Sequence, residues 1–409
     1  MANNKQRSKF RIPLSSGMIH LSAQSVAEGG CFQIEPNPDH FKSIGVHRDL
    51  RLDACRGLAL WFVFVDHVPH NIASWLTLRN YGFSDTTEMF VFISGYTCMI
   101  AYSDVLKEQG WLAMTLHAVR RSWQIYAAFL LLLIAYLVLV QNLGDARYLD
   151  ETNTAVFFEH PGAAMIHASL LQYKPVNTDV LPTFVLLHLI FPALLWLFTR
   201  GAWIALATSV LLYISVQIFG INVQAWPRGE WYFNPLAWQV LFVLGMWCAS
   251  ADSAKLQALV RSRALLAFAV VYLVFSLIVV LGWNFNALKE LVPETLSKLI
   301  YPVDKSNLDP LRLLHFLALA SVAVRLTPHN WRGLSSPWAT TTVRCGENSL
   351  AIFCLGVLLS LIGHVVLEKM SGAVPMQIVV SIIGIAFMIV TARLLTRAAK
   401  LEGRQPQLF

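Results

Sequence analysis

The sequence predicts an all-α, polytopic integral membrane protein with about ten transmembrane helices and both termini in the cytoplasm. Three observations lead there. Of 409 residues, 56% are hydrophobic and only 13% charged, against about 25% charged in a globular domain. The deficit is concentrated in apolar runs of the length that crosses a bilayer core; residues 122–141 contain AAFLLLLIAYLVLV and no charge. Trp75, Trp123, Trp203 and Trp283 fall near the ends of such runs, as in the aromatic belts of membrane interfaces. Backbone in hydrocarbon must satisfy its own hydrogen bonds, so the runs are expected to be helices.

Residues 1–50 are polar and basic, with Gly, Asn and Pro scattered through them. No apolar run follows the early basic residues, so they do not read as a signal peptide. They are expected to form a poorly ordered cytosolic tail. Ten spans follow at about 55–76, 85–102, 122–141, 181–199, 202–219, 235–251, 264–283, 309–326, 347–367 and 376–396. The membrane domain is expected over 51–398 and a short cytosolic tail over 399–409. An N-terminus inside puts 22 of the 31 Lys and Arg on the inner side and eight in outer loops, with Arg312 within a span. The long outer loop, 142–180, carries only Arg147 and Lys174 against five acids. This bias sets the orientation, and it accounts for the net charge of +7 without a nucleic-acid partner. Residues 103–121 read as an interfacial helix, with Arg120 and Arg121 reaching lipid phosphates. No Cys pair has CxxC spacing, and neither a disulfide framework nor a metal site is expected.

Ionisable residues within spans are costly and usually face a cavity or a partner. The first span, RLDACRGLALWFVFVDHVPHN, is the richest. Arg56 and His67 are eleven residues apart, which returns to nearly the same helix face roughly 16 Å further along. Asp53 sits one turn before Arg56, and Asn71 is placed one turn after His67. The second span begins DTTEMFVFISGY. Its Glu88 is placed at a depth comparable to His67. Ser94-Gly95 near its middle is either a close helix contact or a substrate contact. In the eighth span, Asp309, Arg312 and His315 share a face. His188, alone in LPTFVLLHLIFP, reads as packing. The set suits a reaction with an anionic cytosolic donor and an extracytoplasmic acceptor.

These residues carry a resemblance. RLDACRGLALWFVFVDH resembles the first helix of the acyltransferase family 3 membrane enzymes, with its Arg, ten residues, then His. MFVFISGY resembles that family's FFxxSG element. The chain is more similar to the OpgC family, through LPTFVLLHLIFPALLW, WYFNPLAWQVLFVLGMW, DKSNLDPLRLLHFLALA and ENSLAIFCLGVLLS. The resemblance spans residues 49–396. It implies a bacterial inner-membrane enzyme that transfers an acyl group, succinyl by analogy, from acyl-CoA to a hydroxyl of a periplasmic glucan, with no bound cofactor. A sugar hydroxyl is a poor nucleophile and needs a base, a task suited to imidazole near neutral pH. On this reading His67 is the base and Glu88, or less well Asp66, orients it. Arg56 holds a phosphate of the donor. Arg312 takes the free carboxylate of a succinyl group. His315 or Ser94 stabilises the oxyanion. Asp53 and Asn71 complete the substrate site. Three other readings compete: a transporter or flippase of an anionic solute, an acetyltransferase acting on another envelope polysaccharide or a lipid headgroup, and an inactive membrane scaffold in a glucan-synthesis complex.

Overall fold

The computed structural model describes residues 49–250, 253–328 and 331–403. The expected N-terminal tail, up to residue 48, lies outside the described residues, as do residues 404–409 of the C-terminal one. Among the described residues the structure is all-α, apart from one antiparallel bridge between Gln224 and Glu230. In chain order the helices are α1 (Leu50–Asp66), α2 (Thr86–Leu143), α3 (Ala146–Glu151), α4 (Ala155–Glu159), α5 (Pro161–Ser169), α6 (Val180–Arg200), α7 (Ala202–Phe219) and α8 (Pro235–Ala249). They continue as α9 (Ser253–Arg261), α10 (Arg263–Asn284), α11 (Asn286–Lys289), α12 (Glu294–Ile300), α13 (Pro310–Leu326), α14 (Pro337–Glu347), α15 (Ser349–Lys369) and α16 (Val374–Leu401).

Six of these, α2, α6, α7, α10, α15 and α16, are long and apolar enough to cross a membrane. The 58 residues of α2 hold two of the expected spans, joined by a break at Gly110. Its φ of 84° lies where only glycine sits without strain. Three expected spans fall on the shorter α1, α8 and α13.

The first span differs from expectation. It was drawn over 55–76, but α1 stops at Asp66. Pro69 disfavours helical backbone in the residue before it, and His70 takes a left-handed φ of 55°. Asn71 then accepts a hydrogen bond from the Ala73 N–H and caps a new 3₁₀ turn, Ile72–Leu76. Asn71 therefore does not continue the helix face of His67. Its side chain donates instead to Ser381 Oγ on α16, at 2.8 Å.

The interior is built around α8, whose Trp238, Leu241, Phe242, Val243 and Met246 are wholly buried against α2, α6 and α7. Its composition reads as a span, but its neighbours are protein. Where α2 and α8 cross, a Cβ on Gly95 would meet the Phe242 carbonyl, and one on Gly245 would meet the Phe92 carbonyl. The two glycines allow the backbones to touch. Gly57 and Gly346 do the same where α1 crosses α14. A second apolar cluster joins α1 to α15 and α16 through Leu60, Phe64, Ile352 and Met388. The segment between α2 and α6, expected to be an outer loop, is folded: Tyr148 and Tyr173 are fully buried.

Candidate functional site

The end of α1, the start of α2, α6 and the folded segment between α2 and α6 line a cavity of about 1300 Å³. His67 lines it directly after α1. The ring Nδ1 lies 2.5 Å from the Val63 carbonyl oxygen one turn back. A carbonyl only accepts, so Nδ1 carries the proton of the neutral ring and Nε2 is left as an acceptor. The group that orients His67 is thus this carbonyl and not the expected carboxylate. Asp66 also lines the cavity, and its Oδ1 accepts from Thr77 Oγ1 at 2.7 Å.

Glu88, expected beside His67, is elsewhere engaged. It is fully buried and absent from the cavity wall. Its Oε1 takes the Arg312 guanidinium at 2.8 Å from Nε and 2.6 Å from Nη2, while Oε2 accepts the Asp85 N–H at 3.0 Å. That last bond closes a capping box at the start of α2, the role that Asp followed three residues later by Glu favours. Arg312 lines the cavity but is held by two carboxylates, since Asp85 Oδ2 lies 3.1 Å from Nη2. Lys305 completes the cluster, 2.6 Å from the same Asp85 oxygen. Burial opposes ionisation of Asp85, but Lys305 and Arg312 outweigh it and hold the carboxyl well below its usual range.

His315 faces away from the cavity. Its Nδ1 meets Ser84 Oγ at 2.6 Å and accepts the Ser84 N–H at 3.3 Å, which fixes the Gly82–Ser84 turn. Asp309 caps α13 by accepting the Leu311 N–H at 2.8 Å.

At the other end of the cavity stands Arg56. Its Nη1 is 3.6 Å from Asp53 and its Nη2 donates to Thr97 Oγ1 at 2.7 Å. Asp53 is buried behind it and does not line the cavity. Ser94 does line it, while its neighbour Gly95 makes the helix crossing. Of the pair, Gly95 takes the close helix contact and Ser94 lies on the cavity wall.

Two residues here were read otherwise in the sequence. Arg121, expected to reach lipid phosphates, lines the cavity, as Arg56 does; Arg120 is the exposed one of the pair. Arg121 Nη1 donates to Gln124 Oε1 at 3.2 Å, and its Nε is buried without a partner. His188 also faces the cavity. Its Nδ1 donates to the Phe184 carbonyl at 2.8 Å, so Nε2 is the acceptor, 3.6 Å from Cys98 Sγ.

The folded segment between α2 and α6 supplies Asn153, Lys174, Asn177 and Asp179 to the wall. Lys174 is 6% exposed, with Nζ 3.8 Å from the centre of the Trp231 ring. Burial pushes its ammonium below the usual lysine range, and the Asp179 carboxylate acts against that. Burial likewise raises the Asp179 carboxyl, opposed by Lys174. Away from the cavity, Glu151, His364 and Glu368 bring ligand atoms within 4.8 Å of one another, a group that Cys spacing does not reveal. They already serve one another and Tyr148: His364 Nε2 is 3.0 Å from Glu151, and the Tyr148 hydroxyl donates to Glu368 at 2.7 Å.

The family model described as OpgC protein matches residues 48–400. The chain belongs to the OpgC family. No curated protein and no solved structure matches it. OpgC membership gives the chain a part in the modification of osmoregulated periplasmic glucans, as a transferase. The OpgC match covers every residue of the cavity wall, from Arg56 to Phe353.

Proposed function

We propose that this OpgC-family chain crosses the bacterial inner membrane ten times, with both termini in the cytoplasm. It transfers an acyl group, succinyl on the family's example, from cytosolic acyl-CoA to a hydroxyl of a periplasmic glucan. The observation that carries this is one cavity whose wall holds the His67 imidazole with an accepting Nε2 and two arginines, Arg56 and Arg121. Arg56 and His67 are separated by eleven residues, roughly 16 Å of helix. Guanidinium groups bind phosphate oxygens bidentately, which suits the charged end of the CoA. The apolar wall between them, with Val63, Phe90, Leu350 and Phe353, suits an extended, weakly polar arm.

In the transfer, the glucan hydroxyl oxygen attacks the thioester carbonyl carbon as its proton passes to His67 Nε2. The tetrahedral intermediate then expels the CoA sulfur, which takes the proton back from the imidazolium. The Val63 carbonyl becomes a partner of the charged ring and steadies it. Ser94, as a hydroxyl on the wall, is the candidate donor to the oxyanion. Arg312 and Glu88 hold the start of α2 against α13 and act on the site through its shape.

Thiol release from succinyl-CoA and acetyl-CoA by the purified protein, with periplasmic glucan present, tests this reading. Acceptor-dependent release that is lost in His67→Ala is the expected result. No release from either donor by folded wild-type protein would end it.

A further inference from the structure

We propose that Lys174 binds a carboxylate inside the cavity, either the free acid of a dicarboxylic acyl group or an acidic substituent on the acceptor, and so selects acidic over neutral substrates. The proposal rests on the acyl-transfer reading above and adds a residue that sets substrate choice.

The cations around the cavity differ in how they are engaged. Arg312 meets two carboxylates, Lys305 meets Asp85 and Arg56 has Asp53 beside it. Arg79 is exposed and donates to the Asp66 carbonyl. Lys174 alone among the lysines and arginines of the outer loop is both buried and on the wall. Among the described residues no carboxylate comes within ion-pairing distance of it. Its one hydrogen bond, to the Leu171 carbonyl, is long at 3.4 Å. An ammonium carries three donors; the Asp179 carboxylate acts on this one only from beyond ion-pairing range, and a buried charge without a direct partner is costly. A carboxylate from a ligand would supply what the protein does not.

The site is built. The Lys174 carbonyl accepts Asn153 Nδ2 at 3.0 Å, and Tyr173 donates to the Asn153 carbonyl at 2.8 Å. The Val176 N–H donates to the Thr152 carbonyl at 3.0 Å. The Trp231 ring beneath the ammonium is 3% exposed and holds it by a cation–π contact. A flexible four-carbon stem is thereby fixed, and little ordering is left for binding to cost.

The test compares wild type, Lys174→Met and Lys174→Arg with succinyl-CoA and acetyl-CoA, each with unsubstituted and with pre-succinylated glucan. Succinate binding, followed by tryptophan fluorescence, is measured in parallel. A charged hydrogen bond is worth enough to predict a loss of about tenfold or more. If the acyl group supplies the carboxylate, Lys174→Met raises KM for succinyl-CoA by that factor and leaves acetyl-CoA with unsubstituted glucan unchanged. If the acceptor supplies it, the loss follows the pre-succinylated glucan with either donor. In both cases Lys174→Arg keeps the preference and Lys174→Met binds succinate at least about tenfold more weakly. Unchanged succinate binding in Lys174→Met would overturn the proposal, as would an equal loss across all four substrate pairs. Wild type that turns over neither donor would defeat the acyl-transfer reading by itself, and succinate binding would still decide the role of Lys174.

Discussion

His67 owes its chemistry to a neighbour that no side-chain motif names. The Val63 carbonyl accepts a hydrogen bond from Nδ1–H, and the accepting Nε2 follows from that. His67→Ala is expected to lower kcat by about 10²- to 10⁴-fold, the range for a general base, with protein yield and unfolding midpoint unchanged. Glu88 has the opposite standing. Its carboxylate is spent on Arg312 and the α2 cap, so Arg312→Met leaves a buried charge unpaired and should cost about 3–5 kcal/mol. Adding Glu88→Gln to Arg312→Met should recover much of that loss in detergent unfolding measurements. Asp85 gives a pH signature. Its folded carboxyl lies well below the ordinary 3.8, so its stabilisation is full above that value and is lost as pH falls through the lower folded one. The difference in unfolding midpoint between wild type and Asp85→Asn should therefore stay constant from neutral pH to about pH 4.5 and shrink below. A difference already shrinking between pH 7 and 5 would contradict it.

At the scale of elements, close crossings decide the arrangement of helices. Gly95 and Gly245 place α2 and α8 in backbone contact, and a Cβ on either would strike a carbonyl. Gly245→Ala is expected to destabilise by about 1–3 kcal/mol, as overpacking does. Gly162→Ala, in α5 with open space around it, should be neutral or slightly stabilising; equal losses for the two in parallel melts would refute the contact. The helices themselves were legible: the apolar runs of α6, α7, α10, α15 and α16 fall within a few residues of the expected spans. The end of α1 was not. Apolar residues recur as far as Leu76, interrupted by Asp66, His67, His70 and Asn71, and the left-handed backbone at His70 and the Asn71 cap turn the chain away. Pro69 was the one local signal of that turn.

For the whole molecule, the folded loop between α2 and α6 brings Asn153, Lys174 and Asp179 to the same cavity as Arg56. The proposed orientation puts this loop in the periplasm. In a cysteine-free background, Arg147→Cys should react with a membrane-impermeant maleimide added to intact spheroplasts, and Lys400→Cys only after lysis. The reverse pattern would invert the topology and with it the assignment of donor and acceptor ends.

By itself the sequence determined that the chain is helical and apolar, where its long apolar helices lie, and that Arg56, within α1, and His67, just past its end, are spaced to meet one wall. These depend on composition and on a period of 3.6 residues, which are local. The tertiary structure alone decided which charges meet. Arg120 and Arg121 are adjacent in sequence, yet one step along a helix turns a side chain by about 100°, and only Arg121 faces the cavity. Glu88 and Arg312 are 224 residues apart, and Lys174 reaches the wall because a polar loop folds back between two apolar helices. Such encounters depend on how helices rotate and cross, and no single stretch of sequence contains that information.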